Sequence, residues 1–186
     1  MNAFESLVGC ILERDGYWVK FDYKVELTKE EKRAIGRHSS PRWEIDIVAY
    51  KAGTNELRVV ECKSYIDSPG VRFKGFDGSD PKEAKRYKLF NEAKLREIVL
   101  HRVAAQLEDS GSCKPNPKVS LCLAAGRVAG NRDRERLREY FQRQDWLFWD
   151  EEWIRSALVK VSKSGYEDDV AAVVTKLLLR KPDTRK

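Results

Sequence analysis

The stretch that decides the fold runs from Trp43 to Lys63 and reads WEIDIVAYKAGTNELRVVECK. Two strand-like runs, Trp43 to Tyr50 and Leu57 to Lys63, flank Ala52, Gly53, Thr54 and Asn55. Those four residues favour a turn, so the stretch predicts an antiparallel hairpin. With the turn centred between Gly53 and Thr54, residues whose numbers add to 107 oppose each other. Asp46 then faces Glu61, with Cβ atoms roughly 4.5 to 5.5 Å apart, a destabilising position for two like charges. Period-two alternation puts Lys63 on the face of Glu61, over a patch that also carries Val48 and Val59. Charges on an apolar face are costly unless paired or bound to a metal. Magnesium, with manganese as a substitute, takes oxygen ligands and commonly binds through one or two carboxylates plus water and substrate phosphate. The expected site is therefore Asp46 and Glu61 around Mg²⁺, with Lys63 positioning or deprotonating a water, or neutralising charge on a phosphate.

Upstream of the hairpin, Phe4, Leu7, Val8, Ile11 and Leu12 recur at helical spacing and predict an amphipathic helix that stops at Asp15 and Gly16. Glu5 lies at the rim of its apolar face and can point toward the same end of the sheet. Tyr17, Val19, Phe21, Tyr23 and Val25 alternate with polar residues and predict a half-buried strand with one apolar face. Thr28 to Arg42 reads as a loop or short surface helix, whose Arg37 and Arg42 are candidates for contact with nucleic acid.

Downstream, Asp67 to Asp80 is rich in Gly, Ser and Asp and predicts a flexible excursion. Asp80, Pro81 and Glu83 make a strong helix start, and the helix is expected to reach Glu108 with a break near Phe90 or Asn91. Its first half carries Lys82, Lys85 and Arg86, which can track a phosphate backbone or can form an ordinary solvated face. Val119 to Ala125 is an apolar run that suits a strand covered on both faces, parallel to a neighbour. Arg132 to Gln144 reads as a helix, Trp146 to Trp149 as a short strand, and Asp150 as the cap of another helix. Val170, Val173, Val174, Leu177 and Leu178 define a last amphipathic helix before a basic tail. His101 and the tryptophans Trp146, Trp149 and Trp153 are read as structural.

The chain has 186 residues, 41% of them hydrophobic, and 36 Lys and Arg against 30 Asp and Glu, a formal charge of +6. Length suits one main domain, assigned to residues 1–165, with residues 166–186 as a helix and tail. The charge balance suits a polyanionic partner. Four dispersed cysteines, Cys10, Cys62, Cys113 and Cys122, and no apolar run of membrane-spanning length point to a reducing, cytoplasmic setting.

Asp46, the hairpin, and Glu61-Cys62-Lys63 after the apolar pair Val59-Val60 resemble the PD-(D/E)xK nuclease superfamily, which includes restriction endonucleases, Mrr-like enzymes and archaeal Holliday-junction resolvases. The order of elements over about residues 1–125 also resembles that superfamily's core. The resemblance implies an α/β, restriction-endonuclease-like fold with a central mixed sheet of four or five strands flanked by helices. It also implies Mg²⁺-dependent endonucleolytic cleavage of DNA, with Asp46 and Glu61 as ligands, Lys63 as the water-activating or phosphate-stabilising group and Glu5 as an auxiliary ligand. Ile45 stands where many members carry proline, and Gln106 comes later than the glutamine of Mrr-like members. The expected site lies at one sheet edge in a basic groove, and cutting both strands suggests a homodimer, through the Val170 to Leu178 helix. The alternatives are a catalytically silent DNA-binding or assembly module of the same fold, and a hydrolase of RNA or another phosphodiester.

Overall fold

A computed structural model describes residues 1–36, 42–163, 165 and 170–179. The hairpin forms as expected: β2 (Trp43–Lys51) pairs antiparallel with β3 (Glu56–Lys63), with Ile47 opposite Val60 and Lys51 opposite Glu56. Asn55 adopts a left-handed φ of +52° in the turn, and its side chain accepts from the Tyr50 hydroxyl at 2.9 Å and donates to Pro115 at 3.1 Å. Asn tolerates that conformation better than most residues, so turn and register are specified together.

β1 (Trp18–Val25) lies outside β2, antiparallel to it. β4 (Lys118–Ala125) runs parallel to β3, and β5 (Leu147–Trp149) parallel to β4. The result is a five-stranded mixed sheet in the order β1-β2-β3-β4-β5. Parallel neighbours need a crossover, and here residues 64–117 supply it. Helices cover both faces. On one side α1 (Ala3–Arg14) and α7 (Glu151–Ser162) close a core of Phe4, Val8, Leu12, Ile47, Val60, Cys122 and Ile154. On the other, α5 (Ala93–Asp109) and α6 (Asn131–Arg143) close a larger core around Val48, Val59, Leu95, Val99, Leu121, Leu137 and Phe141. Strand β4 is buried from Leu121 to Ala125, which explains its unbroken apolar run.

β1 departs from the expected single apolar face. Val19 and Phe21 pack into the α1 core, whereas Tyr23 and Val25 belong to the α5 core. The same reversal occurs across the ladder, where Ile47 serves the first core and Ile45 the second. Between them stand Asp22, with φ of +50°, and Asp46; neither takes part in the ladder, although Phe21–Ile47 and Tyr23–Ile45 keep one register. One irregular residue on each strand shifts the alternation without slipping the pairing, as a bulge does on a single strand.

Packing overturns one further expectation and adds to another. Residues 68–78 are docked rather than a flexible excursion. Val71 bridges to Val128, Phe73, Gly75 and Phe76 are buried, and Phe73–Gly75 forms one turn of 3-10 helix. The helix expected from Pro81 to Glu108 breaks after Asn91, where a break was expected, and also at Tyr87, giving three pieces: α3 (Pro81–Ala84), α4 (Lys88–Asn91) and α5. Asp80 caps α3 through the Lys82 and Glu83 amides, at 3.0 and 3.2 Å. Tyr87 then leaves the helical path to stack against Phe76, with ring centroids 4.4 Å apart. Asn91 donates to the carbonyls of Gly75 and Ala84, at 2.8 and 3.0 Å, and Arg96 to those of Leu89 and Phe90, at 3.2 and 3.0 Å. Side chains thus satisfy carbonyls that the breaks set free.

Thr28 and Glu31 form a capping box that starts a short α2 (Lys29–Ala34). The last helix, α8 (Val170–Leu179), packs on α7 through Ala172 and Thr175. Its apolar stripe therefore faces outward, with Leu177 and Leu178 more than three-quarters exposed. The basic tail after it lies outside the described residues. Among the described residues no helix is long and apolar enough to cross a membrane.

Candidate functional site

β2 and β3 part company after the Ile47–Val60 pair, while β3 continues beside β4 as far as the Lys63–Ala125 pair. The parting leaves the Cys62 amide without a ladder partner. The Asp46 carboxylate takes that place, accepting from the Cys62 N–H at 2.6 Å. Glu61 lies next in the chain, and its Oε1 is 2.6 Å from Lys63 Nζ. Both side chains are about four-fifths buried, with relative exposures of 18% for Glu61 and 20% for Lys63. The site sits at the carboxyl end of β3, between interior strands, and not at a lateral edge of the sheet as expected. That is the end of parallel strands at which open α/β sheets place their ligands.

The electrostatics follow from this placement. Burial first, and the Glu61 charge second, push the Asp46 carboxyl up to about 6, against the opposing effects of the Cys62 amide and Lys63. Burial alone would lower the Lys63 ammonium. The attraction and hydrogen bond of Glu61, with help from Asp46, outweigh it and hold the lysine above its ordinary value. Lys63 thus stays charged, which disfavours the role of proton acceptor and favours that of a fixed cation. Burial and the surrounding carboxylates push the Cys62 thiol far up, so it is neither a ready nucleophile nor a metal thiolate.

Glu5 is buried in the first turn of α1, near enough for its charge to raise Asp46. Its oxygens are already engaged: Oε2 accepts from the Asn2 amide at 2.8 Å and Oε1 from the Asn2 side chain at 2.5 Å. Asn2 and Glu5 are a capping box that was not read from the sequence. Asp46 and Glu61 are partly buried hard oxygen donors near enough for the Glu61 charge to act on Asp46, and Lys63 pairs with Glu61. That charge imbalance is what a divalent cation would correct, and the donor type fits magnesium. Among the described residues no group of three or more His, Cys, Asp or Glu side chains is gathered as a metal site.

Compared with family models, curated proteins and solved structures, the chain matches none.

The basic candidates divide. Arg37 lies outside the described residues. Arg42 stands at the start of β2, at the same end of the sheet as Lys63, and pairs with Glu26 at 3.1 Å on the surface. Lys82, Lys85 and Arg86 are exposed on and just after α3. Arg86 lies within reach of the Tyr65 hydroxyl, two residues past Lys63, and pairs with Glu83 at 3.9 Å. Gln106 is occupied elsewhere, accepting from the Glu26 amide at 2.8 Å at the end of β1.

Sequence reading overlooked Tyr65, Gly126 and Arg127. Gly126 donates to the Lys63 carbonyl at 2.9 Å, and a Cβ there would fall 2.3 Å from the Ser64 carbonyl oxygen. Only glycine lets the exit of β4 pass so close to the exit of β3. The signal was present in an apolar parallel strand ending in Gly126-Arg127, since residues at such strand ends line crevices. The tryptophans also separate: Trp149 stacks on Trp153 at 4.6 Å in the α1 core, while Trp146 packs with Phe141 and Phe90 in the other.

Proposed function

We propose that this protein is a Mg²⁺-dependent DNA endonuclease whose centre is Asp46, Glu61 and Lys63. One observation carries the proposal: in a partly buried site at the end of β3, the Asp46 carboxylate accepts from the Cys62 amide and the adjacent Glu61 carboxylate pairs with Lys63 at 2.6 Å. Phosphodiester hydrolysis gathers negative charge on the phosphate as water attacks, and a preorganised cation lowers that barrier. The metal would add Lewis acidity and a more acidic bound water. Asp46 and Glu61 would hold it; Asp46 is oriented by the Cys62 amide, and Glu61 has an oxygen not engaged by Lys63. Lys63 would stabilise charge on the phosphate. Glu5 is better placed as a neighbour that tunes Asp46 than as a ligand, since both of its oxygens hold the start of α1.

The likeness to PD-(D/E)xK nucleases supports the same assignment through the Asp46, hairpin and Glu61-Cys62-Lys63 arrangement, now accompanied by a five-stranded mixed sheet between helical layers. Cutting both strands of a duplex calls for two such centres, and we assign the exposed apolar stripe of α8 to the pairing of two copies.

The test is cleavage of supercoiled, linear, branched and single-stranded DNA in Mg²⁺, Mn²⁺ or EDTA, comparing the parent with Lys63→Ala. Cutting that requires metal and is lost in the variant supports the assignment. Cutting in EDTA, or equal cutting by the variant, removes it. DNA binding with no cutting in either metal would favour a silent binding module, and RNA as the preferred substrate would move the activity to another phosphodiester.

A further inference from the structure

Two arginines distant in sequence converge on the four residues that follow the catalytic strand. Tyr65 has a φ of +43°, a region that bulky residues enter only when their surroundings enforce it. The turn is closed by Ser68, whose amide and hydroxyl both donate to the Tyr65 carbonyl, at 3.1 and 3.2 Å. Arg127 Nη1 donates to the Ile66 carbonyl at 3.4 Å. Arg86 approaches the Tyr65 hydroxyl and also has Glu83 at 3.9 Å. Arg127 is carried there by Gly126, and its own carbonyl accepts from the Val71 amide at 2.9 Å, so the backbone beneath it is fixed.

Both arginines remain exposed. Each commits only part of its guanidinium fork to the turn, and the remaining N–H donors match the paired oxygens of a phosphate. We propose that Arg86 and Arg127 form a clamp for a DNA strand, gripping backbone phosphates next to the one presented to Glu61 and Lys63. Which phosphate is cut rests on the nuclease assignment, but the grip itself needs no chemistry. Asp67, exposed in the same turn, opposes an anion there, and removing its charge strengthens the grip.

The experiment is fluorescence anisotropy of a short labelled DNA duplex in EDTA over a salt series, for the parent, Arg86→Gln, Arg127→Gln and Asp67→Asn. Arg143→Gln serves as a control, since Arg143 is exposed on α6 and donates within its own helix to Glu139 at 3.3 Å. The slope of log K against log salt should fall in magnitude by about 0.9 in each of the two clamp variants. The control should leave it unchanged, and Asp67→Asn should bind more tightly. Slopes of Arg86→Gln and Arg127→Gln equal to the parent's, or a parent that does not bind the duplex, would overturn the clamp. Arg127→Lys should restore the slope; a loss that lysine does not restore marks a damaged turn and counts against the proposal. Metal-dependent cutting with unchanged slopes sinks the clamp alone. Altered slopes with no cutting in Mg²⁺ or Mn²⁺ sink the nuclease assignment alone.

Discussion

The Asp46 carboxylate accepts a hydrogen bond from the Cys62 amide at 2.6 Å where the two strands have already separated. One acid therefore both completes the backbone bonding of β3 and stands beside Glu61 with an oxygen to spare. Asp46→Asn keeps the size but removes the charge, and an amide must turn its oxygen toward Cys62. Cutting should fall at least about a hundredfold, as expected when a metal's ligand is lost. Isothermal titration with Mg²⁺ should show the binding signal of the parent disappearing in the variant. Equal titrations would remove Asp46 from the ligand set.

The same acid makes stability depend on pH. Its folded-state value of about 6 lies above the ordinary 3.8. Protonated Asp46 thus favours the fold, a contribution present in full below the ordinary value and lost as pH rises through about 6. Urea midpoints at pH 4.5 and 7.5 should show Asp46→Asn gaining on the parent at the higher pH by about 1 to 2 kcal/mol, the site being partly solvated. Saturating Mg²⁺ should close that gap at pH 7.5 and have little effect at pH 4.5. A gap that widens toward acid would contradict the buried, cation-poor environment described for Asp46.

Lys63 is held charged by Glu61 at 2.6 Å, so its contribution should be electrostatic. Lys63→Ala should reduce kcat by roughly 10²- to 10³-fold. Lys63→Arg should recover part of the loss, since arginine supplies the charge and cannot act as a base. Single-turnover rates check this, and an arginine variant as slow as the alanine one would point back to proton transfer.

Gly126 has no room for a side chain against Ser64. Gly126→Ala should cost about 1 to 3 kcal/mol through displacement of backbone, and lower the melting temperature by several degrees. Gly53→Ala, with open space around it, should change little. Differential scanning calorimetry separates the two, and a neutral Gly126→Ala would show that the exits of β3 and β4 are not tightly apposed.

If two copies pair through α8, sedimentation should show a dimer that Leu177→Ser with Leu178→Ser converts to monomer without loss of fold. Both side chains are more than three-quarters exposed in the single chain, so the monomer's stability should move by no more than about 0.5 kcal/mol. A parent that sediments as a monomer rules the pairing out.

Much of this architecture was legible in the residues themselves. The 47–51 and 56–60 pairing followed from a turn whose Asn55 tolerates left-handed backbone, and α6, β5 and α7 followed from periodicity and from the Asp150 cap, which accepts from Trp153 at 2.9 Å. Asp46 was expected directly opposite Glu61, but the ladder ends at Ile47–Val60 and its carboxylate turns to the Cys62 amide instead. What stayed hidden depends on contacts between distant parts. Composition made residues 68–78 look solvated, but Phe73 and Phe76 anchor them beneath α6 and α4. The helix break at Tyr87 serves a ring far back in the chain, and helical periodicity does not record such a demand. Arg127 reaches the Ile66 carbonyl only because β4 returns beside β3.

The paired irregularity at Asp22 and Asp46 bears on how this protein can change. Ile45 and Ile47 are both fully buried, in opposite layers, because the twist of the chain between them is shared by two strands. Replacing Asp46 alone should leave that twist in place, since its counterpart Asp22 on β1 keeps its left-handed backbone. A variant without the Asp46 carboxylate should therefore keep the crooked ladder, with Ile45 and Ile47 still in opposite layers.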